Sequence, residues 1–221
     1  MEYIVKILET KEVANKVKSF RIEKPAGYNF IPGQATDVAI NTPALKAELR
    51  PFTFTCLTTD PFLEFTIKRY PEHKGVTDAL HNLQVGDELV IHDVWGAISY
   101  KGPGYFIAGG AGITPFLAIL RQLHKEKKLA GNTLFFSNKT EADIICHNEL
   151  KSMLGNEAVL ILTKEKKEDY LQGPVNKNFL QQHVTDFKKH FYICGPDAMV
   201  ADLSAVLTSL GANTDTVVFE K

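Results

Sequence analysis

The sequence predicts two domains: an antiparallel β-barrel over residues 1–102, then an α/β domain with a parallel sheet over residues 103–221. Three observations carry this. The chain has 221 residues, which at roughly 100–200 residues per domain allows one large domain or two small ones. Up to Lys101-Gly102-Pro103-Gly104 it is a series of short segments rich in Val, Ile, Phe and Thr. Beyond Gly104, strand patterns alternate with helical ones, the rhythm of a parallel sheet with helices on both faces.

In the first half, strands are predicted at 3–9, 17–22, 35–40, 50–56, 63–69 and 88–93. Leu63-Glu64-Phe65-Thr66-Ile67-Lys68 alternates as a half-buried strand does, and Pro25-Ala26-Gly27, Pro32-Gly33 and Asp60-Pro61 mark turns. A short helix from Thr77 to about residue 83 interrupts them, with Thr77 as N-cap. In the second half, strands are predicted at 105–108, 133–137, 158–162, 191–194 and 216–219. Helices are predicted at 115–127, 144–153, near 179–183 and at 199–210, and the Lys/Glu-rich stretch 164–169 reads as a solvated loop.

Composition excludes several classes. Lys+Arg 25 against Asp+Glu 26 gives a net charge of −1. The two halves carry 12 basic and 13 acidic, then 13 and 13, so neither is a polybasic nucleic-acid surface. No apolar run approaches the ~20 residues of a membrane helix. The opening MEYIVKILETKEV reads as a strand and not as a secretory signal. Cys56, Cys146 and Cys194 are too few and too far apart for a disulfide framework or a four-thiolate cluster, and the expected compartment is the cytoplasm. No histidine pair has metal-ligand spacing, so no metal site is expected.

The most informative turn is Ala108-Gly109-Gly110-Ala111-Gly112-Ile113-Thr114-Pro115, which follows a strand and opens a helix. Gly110-x-Gly112 matches the start of a dinucleotide fingerprint. Glycines let backbone approach a phosphate, and free N–H groups at a helix start favour an anion. Pro115 suits a first helical turn, where its missing N–H has no partner to lose. The competing reading is a tight turn that binds nothing.

Taken in order, four segments resemble the ferredoxin–NADP reductase superfamily, in particular its single-chain flavodoxin or ferredoxin reductases. They are Arg50-Pro51-Phe52-Thr53, then Ile67-Lys68-Arg69 with Gly75-Val76-Thr77, then the glycine-rich turn, then Cys194-Gly195-Pro196. The resemblance implies that Arg50 neutralises a flavin pyrophosphate, that Phe52 packs on the flavin where the family has Tyr, and that Thr53 contacts the reactive N5. It implies that Ile67, Lys68, Arg69, Gly75, Val76 and Thr77 cradle the flavin phosphates. Gly110, Gly112, Thr114, Pro115, Gly195 and Pro196 then shape the nicotinamide dinucleotide site, with Cys194 beside the hydride path. Phe219 is placed close to the flavin, and Glu220 assists proton movement.

The implied reaction moves hydride from NADH or NADPH to bound FAD, with FMN the less favoured flavin. Electrons then pass to a separate acceptor, a carrier protein such as flavodoxin or ferredoxin or a small molecule. Two alternatives stay open: a reductase of free flavin, and a non-catalytic nucleotide-binding relay subunit. Neither a nucleic acid nor a membrane is an expected partner, and the sequence does not speak to oligomeric state. For the coenzyme, Ser137 and Lys139 suit a 2′-phosphate whereas Glu141 and Asp143 suit ribose hydroxyls, and the balance leans to NADH. Thr140 is also a plausible N-cap for the helix at 144.

Overall fold

In the computed structural model, which describes residues 1–73, 75–96, 98–213 and 217–219, the first half of the chain forms one six-stranded antiparallel sheet. Its strands are β1 (Tyr3–Ala14), β2 (Val17–Glu23), β3 (Ala35–Ile40), β4 (Arg50–Thr53), β5 (Phe62–Lys68) and β6 (Glu88–Ile91), ordered β4-β3-β6-β1-β2-β5. The edge strands β4 and β5 meet through a bridge between Phe54 and Phe65, which closes the sheet into a barrel. Period-two alternation turns Val5, Ile7, Phe20, Ile22, Val38 and Phe65 into a common core. Each such side chain contributes roughly 1.5–3 kcal/mol by leaving water.

The hairpin joining β1 and β2 is longer than its sequence suggests. The strand predicted at 3–9 continues to Ala14 and pairs with β2. Cross-strand charges support it: Arg21 Nη1 lies 2.7 Å from Glu9 Oε2.

The helix α1 (Val76–Leu80) is shorter than predicted and starts earlier, with Gly75 as its N-cap. Thr77 is therefore the second helical residue and not the cap. Val76 and Leu80 are buried in the barrel core, and seating Val76 there decides where the helix begins.

At the end of α1, His81 Nε2 lies 2.9 Å from the Ile67 carbonyl, and burial holds the imidazole pKa below its ordinary 6.5. A group depressed in this way contributes stability that is complete above the unfolded value and is lost as pH falls through the folded one. Denaturation midpoints should therefore drop as pH falls below the ordinary 6.5, and His81→Gln should flatten that dependence. An unaltered pH profile in the variant would count against His81 as the titrating group.

The second half forms a six-stranded parallel sheet of β7 (Gly104–Gly109), β8 (Thr133–Asn138), β9 (Ala158–Leu162), β10 (Leu171–Gln172), β11 (His190–Cys194) and β12 (Val217–Phe219). Between them run α2 (Thr114–Lys125), α3 (His147–Leu154), α4 (Lys177–His183) and α5 (Asp197–Ser209). The order β10-β9-β8-β7-β11-β12 means the chain builds outward from β7, then crosses back to place β11 on its other side. The point of reversal lies between the carboxyl ends of β7 and β11.

The helix expected at 144–153 starts at His147 instead. Thr140 opens a 3-10 turn, Glu141–Asp143, and Asp143 accepts hydrogen bonds from the Thr140 N–H and hydroxyl. Ile144 and Ile145 are buried, and Cys146 adopts a left-handed conformation that delays the helix.

The chain clusters into two compact units. One comprises residues 1–96 and 114–122, so most of α2 belongs with the barrel; the other comprises the remaining residues. Among the described residues no helix is long and apolar enough to cross a membrane.

Candidate nucleotide and flavin sites

In the parallel-sheet unit, the turn Gly110–Ile113 forms a single 3-10 turn at the carboxyl end of β7. Gly110 has φ +54°, a conformation glycine adopts without strain. Gly112 is required for another reason. A Cβ built there would stand 2.2 Å from the Cys194 carbonyl oxygen and 2.6 Å from the Gly195 nitrogen. Gly109 is similarly pressed by Met199 Sδ at 2.6 Å and Pro196 Cδ at 3.1 Å, and Gly195 by Gly109 Cα at 3.2 Å. The glycine-rich turn and the Cys194-Gly195-Pro196 turn therefore touch backbone to backbone. Spacing that reads in sequence as room for a phosphate is, at Gly112, room for the neighbouring turn.

Cys194 is buried at the end of β11, and Pro196 precedes α5. Thr114 and Pro115 open α2. Phe219 ends β12, its backbone paired opposite Ile193. Glu220 lies outside the described residues.

The carboxyl end of β8 carries the residues considered for coenzyme choice. Ser137 pairs with Gly109 and Ile161 across the sheet and is half-buried, whereas Lys139 is exposed. The Lys/Glu stretch 164–169 is a mostly exposed loop, as expected, but two of its residues are tied back to Glu141. The Glu165 carboxylate accepts the Glu141 N–H at 2.7 Å, Lys167 pairs with Glu141, and the Tyr170 hydroxyl donates to Glu141 Oε1 at 2.5 Å. Hydrogen bonds from Lys167 and Tyr170 hold the Glu141 carboxyl below its ordinary range. Asn138 is 4% exposed, and neither its amide oxygen nor its amide nitrogen has a hydrogen-bond partner among the described residues.

In the barrel unit, Arg50 opens β4 with its guanidinium half-exposed; Nη1 donates to the Leu49 carbonyl at 2.6 Å and Nη2 lies 3.4 Å from Glu48. Phe52 is partly buried, its ring 6.2 Å from that of Phe65. Thr53 is buried and pairs with Ala35. Alternation puts Arg50 and Phe52 on one face of β4 and Thr53 on the other.

The second predicted segment divides by burial. The Ile67 and Val76 side chains lie in the core, so only their backbone can serve a ligand. Lys68 Nζ sits 5.9 Å from the Tyr70 ring, Arg69 Nε donates to Asp78 at 2.6 Å, and Thr77 is half-buried beside Gly75. These cations and the Thr77 hydroxyl are thus carried on β4, at the end of β5 and on α1.

Two residues escaped the sequence reading. Glu64 is buried on the outer face of β5, and Arg121 Nη1 donates both to Glu64 Oε1 at 2.8 Å and to the Thr55 carbonyl at 2.5 Å. Burial pushes the Glu64 carboxyl up, but Arg121, the Thr55 hydroxyl and Arg21 outweigh it and hold the group below the usual carboxylate range. The available signal was Arg121 itself, a cation directly after the apolar run Phe116-Leu117-Ala118-Ile119-Leu120.

A closed barrel followed by a parallel sheet with glycine-bearing turns at its strand-order reversal is an architecture shared with a known FAD/NAD-binding domain. Residues 106–205 match the oxidoreductase NAD-binding domain family. The chain is 28% identical to the reductase component of propane 2-monooxygenase from Rhodococcus jostii, over 90% of this chain and 57% of that protein. It is 30% identical to NADH-cytochrome b5 reductase 2 from Aspergillus oryzae, over 79% of this chain and 62% of that one. It thus spans somewhat more than half the length of these relatives. Its fold matches the flavohaem-like FAD/NAD-binding domain of Vibrio cholerae nitric oxide dioxygenase with a TM-score of 0.86 at 21% identity, covering 98% of this chain and 96% of that one. Residues 106–205 thus match a known NAD-binding domain family, and the chain as a whole is similar in sequence to these reductases and in fold to an FAD/NAD-binding domain.

Proposed function

We propose that the protein takes hydride from NADH onto a bound FAD and passes the electrons to a separate acceptor in the cytoplasm. The observation that carries this is the presence in one chain of the Arg50-Pro51-Phe52-Thr53 strand on a closed barrel and of two interlocked turns at the switch point of a parallel sheet, where nucleotides bind in such sheets. When bound, the flavin supplies the capacity to accept a hydride and release its electrons to the acceptor.

The chain's own residues bind and orient. Arg50 offers a planar fork to the pyrophosphate, and the same need for a pyrophosphate partner favours FAD over FMN. Lys68, Arg69, the Gly75 backbone and the Thr77 hydroxyl complete the cradle, with the backbone of Ile67 and Val76 behind them. Phe52 supplies an apolar surface for the ring system, and the Thr53 hydroxyl serves N5. On the dinucleotide side, the backbone of Gly110 and Gly112 with Thr114 and Pro115 receives the phosphates. Gly195 and Pro196 border the nicotinamide, and Cys194 forms a small polarizable wall beside it. Proximity is the main catalytic device, since hydride transfer itself needs no strong acid. Relatives differ in what they serve, one being part of a monooxygenase and another a cytochrome b5 reductase, and a small electron-carrier protein is the proposed acceptor.

The purified protein should be yellow and should bleach anaerobically on addition of NADH; a colourless protein that binds no added FAD would overturn the reading. Arg50→Ala should weaken FAD binding about ten- to a hundredfold, the loss of one charge-assisted hydrogen bond at about 1.5–3 kcal/mol. An unchanged dissociation constant would remove Arg50 from the site.

Coenzyme choice follows from charge at the end of β8. Glu141 is held ionised by Lys167 and Tyr170, which puts negative charge two residues past Lys139 in the chain. Steady-state kcat/KM should be higher with NADH. A preference for NADPH would show that Ser137 and Lys139 govern the subsite.

A further inference from the structure

We propose that Arg121 and Glu64 form a latch across the seam of the barrel and act as positioning residues for the flavin-binding strand; this rests on the reading that Arg50-Pro51-Phe52-Thr53 holds the flavin. The seam is the weak line of the barrel. β4 and β5 are the two edges of the sheet, and the bridge Phe54–Phe65 joins them where other neighbours share ladders. One residue further along, backbone and side chain both cross the seam. The Thr55 N–H donates to the Glu64 carbonyl at 2.8 Å, and the Thr55 hydroxyl donates to Glu64 Oε1 at 2.9 Å and lies 3.2 Å from the Thr66 hydroxyl. The Glu64 N–H points to Cys56 Sγ at 3.2 Å.

Arg121 reaches this seam from α2. One nitrogen, Nη1, is placed between the Thr55 carbonyl at 2.5 Å and Glu64 Oε1 at 2.8 Å, so it clasps both sides of the seam at once. Arg21 Nε, 3.2 Å from Glu64 Oε2, occupies the other carboxylate oxygen. Both oxygens of a buried carboxylate are thus engaged, and its position is set by donors from three elements.

The arrangement is directional in a way that packing is not. Apolar residues of similar volume can hold a helix against a barrel as firmly as a buried ion pair. They cannot grip the Thr55 carbonyl. Thr55 lies two residues past Thr53 in an extended chain, so the seam sets where Thr53 and its neighbours on β4 stand. Supporting groups of this kind decide whether a binding side chain is held in its productive position.

The test separates positioning from stability. The paired variant Arg121→Met with Glu64→Leu replaces the latch by apolar volume and should keep a near-wild-type unfolding midpoint. It should nevertheless bind added FAD about tenfold more weakly, and the visible circular dichroism of the bound flavin should change. Wild-type FAD affinity and dichroism in this variant would overturn the latch. If the pair fails to fold, Arg121→Lys carries the test: a lysine can still place one nitrogen at the seam, so it should retain FAD better than Arg121→Met. Equal affinity in those two variants would overturn it. Arg50→Ala distinguishes the premise. Undiminished FAD binding there overturns the flavin assignment and this inference together, whereas weakened binding there with wild-type binding in the pair overturns the latch alone.

Discussion

Gly112→Ala should unfold or severely destabilise the parallel-sheet unit, by roughly 3 kcal/mol or more, because the new methyl meets backbone on both sides. The Cβ would lie 2.2 Å from the Cys194 carbonyl oxygen, an atom fixed by the β11 ladder. Nothing flexible can move aside, so the two turns must separate. Gly110→Ala is the informative contrast. Its φ of +54° makes alanine unfavourable by about 1–2 kcal/mol, a conformational cost and not a collision. Denaturant titration of both variants should rank Gly112→Ala well below Gly110→Ala. Equal losses would show that the turn is set by backbone conformation and not by contact between turns. Hydrogen exchange in β7 and β11 should localise the damage, since these strands lead into the two turns.

Arg121→Met alone should destabilise the barrel unit by about 3 kcal/mol, because it leaves a buried carboxylate with reduced compensation. The figure sits at the lower end for a broken buried pair because Arg21 still faces Glu64. Adding Glu64→Leu should recover most of the loss, and the non-additivity is the measurement that matters. If the two single losses simply add, the residues are not coupled and the buried pair is not what holds this region. Lowering the pH should act in the same direction as Arg121→Met. The Glu64 carboxyl is held below its ordinary range, so its contribution is complete above the unfolded value and is lost as pH falls through the folded one.

The candidate site was legible to different depths. The Arg50-Pro51-Phe52-Thr53 and glycine-rich segments stand out because the residue types are unusual for their places: an arginine and a proline in a strand, three glycines in a turn. Their surroundings do not. The role of Gly112 depends on Cys194, distant in sequence, and only the parallel pairing of β7 with β11 brings them together. The stretch 164–169 has the composition of a solvated loop, yet Lys167 and Glu165 fold back on Glu141. Thr77 and Thr140 are both good capping residues by type. One lies inside its helix, since Val76 must reach the core, and the other caps a 3-10 turn, since Ile144 and Ile145 are drawn into the interior.

The sequence by itself determined the two architectures and their order along the chain. Hydrophobic period and the spacing of Gly and Pro are local properties, and they distinguish short alternating strands from a strand–helix rhythm without knowledge of any partner. It also determined which residue types were available for cations, hydroxyls and close backbone approach. The tertiary structure alone decided the rest: that the barrel closes at Phe54 and Phe65, that most of α2 clusters with the barrel and not with the sheet it connects, and that Arg121 meets Glu64. The reason is physical. Closure, register and buried charge pairing depend on contacts between segments far apart in the chain, and a local pattern carries the tendency of each segment but not the identity of its neighbour.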